Sequence, residues 1–245
     1  MGNNMKKLDY SISNIYDKFS VHYREYSKGR NAYLNSIENL IVSNFKNKVS
    51  SILDYGSGDG FRGVKIFEAI KANTLYQADI STEMVKKCIE HGKAKKVIDV
   101  KEKDWQKNFS DIDLIISLWN VFGHLDDTVS RINLLKEFYK IMGTNSYLCL
   151  DINNRHNEEY GFLKSKFKRL YDYIAPDFNR GDVKFNWEID DKKIPAKGHF
   201  FTLNEVKFLL ETSGFEIIKI KGVSYKSGKV YDKTSKGQIF IIAKK

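Results

Sequence analysis

Hydrophobic positions along this chain change their spacing near residue 50. Before it, Ile15, Phe19, Tyr23 and Tyr26, then Leu34, Ile37, Ile41 and Phe45, recur at intervals of three and four. That period predicts two amphipathic helices, forming a helical cap over residues 1–48. After it, short apolar runs at Ser51–Tyr55, 75–80, 96–100, 114–118 and 146–152 alternate with helical patterns at 61–72, 82–90 and 126–142. Such alternation predicts an α/β fold, a parallel sheet with helices on both faces. Between 153 and 201 the regularity breaks into a stretch rich in Tyr, Lys, Asp and Asn that holds both prolines, Pro176 and Pro195, and an alternating segment at 183–189. This reads as an insertion, with Tyr160, Phe162, Tyr171, Tyr173, Phe178, Phe185 and Trp187 divided between a small core and a lid. A helix at 204–212 stops at Gly214, as a glycine C-cap predicts, and leads to strands 215–221 and 238–243, an antiparallel pair. At 245 residues the whole chain, 1–245, is sized for one such domain.

Composition narrows the setting. Apolar runs such as 112–121 and 239–243 are too short to span a bilayer and the N-terminus is polar, so the expectation is a cytoplasmic protein without a membrane partner. Met1-Gly2 opens like a myristoylation signal, but Lys6 stands where that motif needs Ser or Thr. Cys88 and Cys149 are far apart, with neither metal-ligand spacing nor a disulfide framework, and no metal site is expected. The formal charge of +10, from 41 Lys and Arg against 31 Asp and Glu, is dispersed along the chain. It fits a solvated surface or an RNA-binding face.

The chemistry concentrates at 54–60, Asp54-Tyr55-Gly56-Ser57-Gly58-Asp59-Gly60, where three alternating glycines lie between a strand and a helix. One glycine suffices for a turn; three favour close approach of a ligand to the backbone. Gly58, Gly60 and Gly63 also spell G-x-G-x-x-G, with Asp79 about twenty residues on, as in dinucleotide sites. A pyrophosphate there would face Asp54 and Asp59. At ~5 Å and an effective dielectric of ~20, each carboxylate opposes it by roughly 3 kcal/mol. A cationic ligand would be attracted instead.

The 54–60 stretch resembles the D-x-G-x-G-x-G motif of class I S-adenosylmethionine-dependent methyltransferases, and the resemblance runs over about 16–244. It implies a Rossmann-like sheet of seven strands whose last strand is antiparallel, and S-adenosylmethionine as the cofactor. By the same resemblance Asp54, Gly56, Ser57, Gly58 and Gly60 hold the cofactor. Asp79 accepts from both ribose hydroxyls, Ile80 and Met84 flank the adenine, and Asp104, followed by Trp105, accepts from the adenine amine. For Asp104 a turn or helix cap is the alternative. Tyr16, Tyr23 and Arg30, or Arg24 in its place, match residues that related enzymes place over the methionine end, Arg as a bidentate carboxylate clamp, with packing as the alternative for either tyrosine.

Leu118-Trp119-Asn120-Val121-Phe122-Gly123-His124-Leu125-Asp126 is similar to the N-x-F-x-H-L-x-D stretch of glycine N-methyltransferase and related small-molecule N-methyltransferases. Strand ends on this edge of an open α/β sheet line the ligand crevice, so Leu118 and Asn120 are placed at the cofactor and Trp119 at the acceptor. His124 is the imidazole best placed to take a proton from the acceptor, with helix capping or a backbone contact as the alternative. Asp151 and Asn154 are further candidates for the acceptor pocket, and His199 is a second catalytic candidate. For His199 the alternative is an entry residue before Thr202, which has N-cap character with Glu205 three residues on. The expected activity is methyl transfer to a nitrogen, or an oxygen, of a small molecule by a monomer or homodimer. The competing functions are an RNA or tRNA methyltransferase using Lys164, Lys166, Lys168 and Arg169, and a non-catalytic cofactor-binding module.

Overall fold

The computed structural model describes residues 12–189 and 192–245, with the side chains of 187–189 and 192 outside the description. The expected cap and the aromatic set therefore each lie partly outside the described residues, at 1–11 and at the Trp187 side chain.

Five parallel strands, β1 (Ser51–Tyr55), β2 (Thr74–Asp79), β3 (Lys96–Asp99), β4 (Ile112–Ser117) and β5 (Met142–Ile152), join β8 (Glu216–Val223), β9 (Val230–Tyr231) and β10 (Gln238–Lys244). They form one eight-stranded sheet in the order β3-β2-β1-β4-β5-β10-β8-β9, with β10 antiparallel to both β5 and β8. Seven of these are the strands expected. The eighth, β9, pairs Val230 and Tyr231 with the end of β8 and is too short to leave a period in the sequence. Helices α3 (Asn31–Phe45) and α4 (Phe61–Ile70) cover one face, where Ile37, Ile41, Ile66 and Ile70 bury against Ile52, Leu114 and Phe240. The opposite face takes α6 (Thr128–Ile141) and α8 (Leu203–Thr212), with Leu135, Phe138, Leu209 and Leu210 against Leu53, Ile115 and Ile241. A sheet covered on both sides needs continuous apolar strands, which is why these strands read as unbroken runs. Helix α5 (Thr82–His91) starts at Ser81, whose side chain accepts from Met84 N, and ends at Gly92 in the left-handed conformation.

Among the described residues the cap holds three helices rather than two. α1 (Ile12–Phe19) and α2 (Tyr23–Lys28) are separated by a turn, and Arg30 precedes α3. The insertion is more ordered than its sequence reads. It contains α7 (Phe162–Ile174), which the reading of 153–201 as an irregular stretch passed over, and a hairpin of β6 (Asp182–Ile189) and β7 (Lys192–His199) standing apart from the main sheet. Ile194 and Ala196 of β7 pack on Ile15 and Phe19 of α1, so hairpin and cap meet over the sheet edge where β1, β2 and β4 end.

Candidate active site

All three alternating glycines adopt positive φ: Gly56 +75°, Gly58 +55° and Gly60 +76°. The loop is tied to β2 by Gly56 N and Ser57 N, which donate to Ala78 O at 2.8 and 3.1 Å, and by Gly58 N, which donates to Asp79 Oδ2 at 2.8 Å. Gly60 is also required by the fold, because a Cβ there would press on Cys88 and Gln77, whose Nε2 donates to Gly60 O at 2.8 Å. A Cβ at Gly63 would collide with Asp54 Oδ2. Gly63 thus makes room for a carboxylate beside the first turn of α4, where a dinucleotide reading would place its phosphates.

Burial raises the Asp54 carboxyl to about 7, against the opposing pull of Arg62. It raises Asp79 to about 6, against hydrogen bonds from the Ser81, Gly58 and Ile80 amides. Two cavities flank this loop. One, of about 100 Å³, is lined by Asp79, Ile80, Val100, Gly56, Gly58, Leu118, Tyr16 and His124. The other, of about 260 Å³, is lined by Asp54, Ser57, Asp59, Arg62, Leu118 and Trp119. Tyr23 lies between them with its ring over Gly58.

A third cavity, of about 410 Å³, opens on the far side of Trp119. Tyr16, Phe19, Tyr23, Tyr26, Phe185, Phe200 and Tyr225 bring aromatic rings to it, beside Asn120, Asn153, His124 and His199. Its wall turns on a strained corner, because Trp119 and Asn120 both have positive φ, +61° and +63°. For a bulky residue such as Trp this conformation costs of order 1–3 kcal/mol and persists only where surroundings enforce it. Trp119 N donates to Asp151 Oδ2 at 3.0 Å, Asn120 N to Asp151 O at 2.8 Å, and Asn153 N to Asn120 Oδ1 at 2.9 Å. Asp151, expected at the acceptor, is instead 1% exposed and holds this corner, with the Tyr33 hydroxyl donating to its other oxygen.

The two histidines differ. His124 Nε2 meets the Tyr16 hydroxyl at 3.0 Å, and burial lowers its pKa to about 4, the Lys197 backbone acting in the opposite sense. The base reading assumed a pKa near 6.5, and burial removes that match. His199 has Nδ1 2.7 Å from Asp182 Oδ1 and Nε2 2.9 Å from Glu205 Oε1, so no lone pair faces the cavity. It is the helix-entry residue of the alternative reading, with Thr202 capping α8 by accepting from Glu205 N at 3.1 Å. Glu205 also faces Arg131 at 3.7 Å, both side chains nearly sealed from water. Removing one member of a buried ionic cluster strands the others, so Glu205→Ala is expected to cost about 3–5 kcal/mol in urea unfolding.

Other candidates stand away from these cavities. Asn154 spends its amide on Thr234 O and Gly237 O, both at 2.8 Å, locking the insertion to the loop before β10. Asp104 is exposed, ion-paired with Lys107 at 2.8 Å, and Trp105 packs against Tyr55 and Phe138. Met84 is fully buried in α5 without lining the cavity. Arg30 stacks on Tyr225 at 5.0 Å and Tyr26 at 5.8 Å and lines none of the three cavities. Sequence reasoning missed Val100 and Arg62 at the flanking cavities and Tyr225 at the aromatic one. Tyr225 accepts from Trp119 Nε1 at 3.2 Å, a contact between residues 106 apart in sequence that no local pattern carries.

Residues 23–220 match a family described as "Methyltransferase domain". Glycine/sarcosine N-methyltransferase of Halorhodospira halochloris is 34% identical over 114 residues, a match spanning 44% of this chain and 42% of that protein's length. Among solved structures, a SAM-dependent methyltransferase from Methanosarcina mazei matches with a TM-score of 0.60 at 20% identity, over 84% of this chain and 96% of that one. A methyltransferase from Thermotoga maritima, described as a possible histamine N-methyltransferase, matches with a TM-score of 0.59 at 17% identity, over 94% of this chain and 98% of that one.

Proposed function

Because the chain belongs to the methyltransferase-domain family, a group of S-adenosylmethionine-dependent enzymes, we propose that its acceptor is a nitrogen of a small molecule. The observation that carries this reading is the aromatic cavity on the far side of Trp119 from the glycine loop, walled by cap, hairpin and the Trp119 corner. A walled chamber of this kind takes a small guest. The N-methylating relative from Halorhodospira favours nitrogen over oxygen.

Asp79, Ile80 and Val100 would hold the cofactor's adenosine, and Asp54 and Arg62 its amino-acid end. S-adenosylmethionine supplies an electrophilic methyl, and the chain's own task is to hold a lone pair in line with it and to exclude water. His124, neutral at pH 7 and bonded to Tyr16, orients the acceptor rather than storing its proton, so the amine reacts as its free base. His124→Gln is therefore expected to lower kcat by roughly ten-fold, against the 10²–10⁴ of a lost general base. A thousand-fold loss at unchanged cofactor affinity would restore the base role.

The RNA reading needs Lys164, Lys166, Lys168 and Arg169 to continue the active-site mouth, and none of them lines these three cavities. The deciding experiment incubates the protein and S-adenosylmethionine with panels of primary and secondary amines, phenols and tRNA, following S-adenosylhomocysteine. Turnover with amines alone supports the proposal. Turnover with tRNA alone overturns it, and no turnover with any acceptor, despite cofactor binding, points to the non-catalytic module.

A further inference from the structure

Helix α7 is amphipathic with its faces reversed. Leu163, Phe167, Leu170 and Ile174 follow at steps of four, three and four, which on an α-helix makes a single stripe. The stripe points into solvent, the four residues being 67%, 67%, 56% and 70% exposed. Phe162, Tyr171 and Tyr173 beside it are 49%, 58% and 81% exposed. The inward face is polar. Ser165 Oγ donates to His156 O at 2.6 Å, and the Asp172 carboxylate is gripped by Arg155 at 2.7 Å, His156 at 2.8 Å and Arg180 at 3.0 Å. The helix is thus pinned to the body by its hydrogen bonds and ion pairs, and its apolar side chains are left outside. A contiguous apolar surface of this kind marks a contact.

Charge selects the partner. The helix carries Lys164, Lys166, Lys168 and Arg169 and a single carboxylate, Asp172, which is turned inward and neutralised. Exposed Lys164 and Lys166 flank the stripe, with no acid on the outward arc to pair with them. A second copy would bring the same lysines on a chain that also carries +10, and the repulsion grows with each copy added. RNA would use the lysines and leave the stripe in water. An apolar stripe with lysine flanks matches the boundary between acyl chains and anionic headgroups, where such helices lie flat. We propose that α7 docks the protein, reversibly and without spanning, on an anionic membrane surface. Among the described residues no helix is long and apolar enough to cross a membrane, so the contact is interfacial. The inference is independent of the acceptor.

The test is flotation of the full chain with vesicles of phosphatidylcholine alone and of phosphatidylcholine with about one-third phosphatidylglycerol. The expected result is partitioning to the anionic vesicles only, weakening with salt. Phe167→Ser with Ile174→Ser should cut it at least ten-fold, and each of Lys164→Gln and Lys166→Gln about five-fold. All four side chains are exposed, so melting temperature and S-adenosylmethionine affinity should not move. Three results would overturn the proposal: partitioning that survives Phe167→Ser with Ile174→Ser; no partitioning but a dimer in sedimentation that this variant dissolves; or no partitioning but RNA binding that only the lysine variants lose.

Discussion

Asp79→Ala is expected to weaken S-adenosylmethionine binding by one to two orders of magnitude, whereas Asp104→Ala leaves it unchanged. Asp79 closes β2 at the cavity beside the glycine loop, with Oδ2 accepting from Gly58 N at 2.8 Å and Oδ1 from Ser81 N at 2.9 Å. An ionised carboxylate has about four lone-pair sites, and with the Ile80 amide as a third donor at least one remains for a ribose hydroxyl. Charge-assisted bonds of this kind are worth roughly 1.5–3 kcal/mol, which gives the expected loss in calorimetric titration. The alanine variant also frees the Gly58 amide, so Asp79→Asn is the necessary companion. It keeps the volume and one acceptor, and an intermediate loss at unchanged melting temperature assigns the effect to the ligand rather than to the loop. Asp104, exposed and paired with Lys107, has no such position. Full affinity in both Asp79 variants would place the ribose elsewhere.

The contrast between these two aspartates shows what a linear pattern carries. Asp54, Gly56, Gly58 and Asp79 were legible because strand, turn and helix fix their relative positions locally, within one βα unit and the next strand. The parallel sheet follows from the same alternation of short apolar runs, and the antiparallel last strand from the resemblance to class I methyltransferases. Asp104 sits in a left-handed turn, φ +60°, one residue before a 3-10 helix, and a motif cannot say which way such a turn faces. Asp151 was legible as a strand-end carboxylate, but its use depends on Tyr33 from α3 and on the strained Trp119 backbone, contacts 118 and 32 residues away in sequence. His199 was decided by burial between Asp182 and Glu205, which assemble only when the hairpin folds on α6 and α8. α7 does carry a helical period, Leu163, Phe167, Leu170 and Ile174, but it lies inside a stretch read as irregular, and no period can show that its apolar face is turned away from the core.

Affinity for S-adenosylmethionine is expected to rise steeply between pH 5 and pH 8. Asp54 and Asp79 titrate at about 7 and about 6 in the ligand-free protein, both raised mainly by burial. The cofactor offers a cationic amine, a sulfonium and two hydroxyl donors, all of which favour the carboxylate form. Each carboxyl therefore weakens binding by up to ten-fold per pH unit below its pKa and by nothing above it. At pH 5 the two together set a ceiling of roughly a thousand-fold, about 100-fold from Asp54 and about 10-fold from Asp79. Stability runs the other way. A folded pKa above the unfolded value, about 3.9 for Asp, gives stability that is complete below that value and lost as pH climbs through about 6 and then 7. Asp172, held below the usual carboxylate range by His156, Arg155 and Arg180 against burial, contributes with the opposite sign, so the melting temperature alone mixes the two classes. The ligand-induced rise in melting temperature separates them, because Asp172 lines none of the three cavities around the loop. That rise should be larger at pH 8 than at pH 5.5. An equal rise at both would mean that water relieves the buried carboxyls before the cofactor arrives, and that the glycine loop meets its cation already charged.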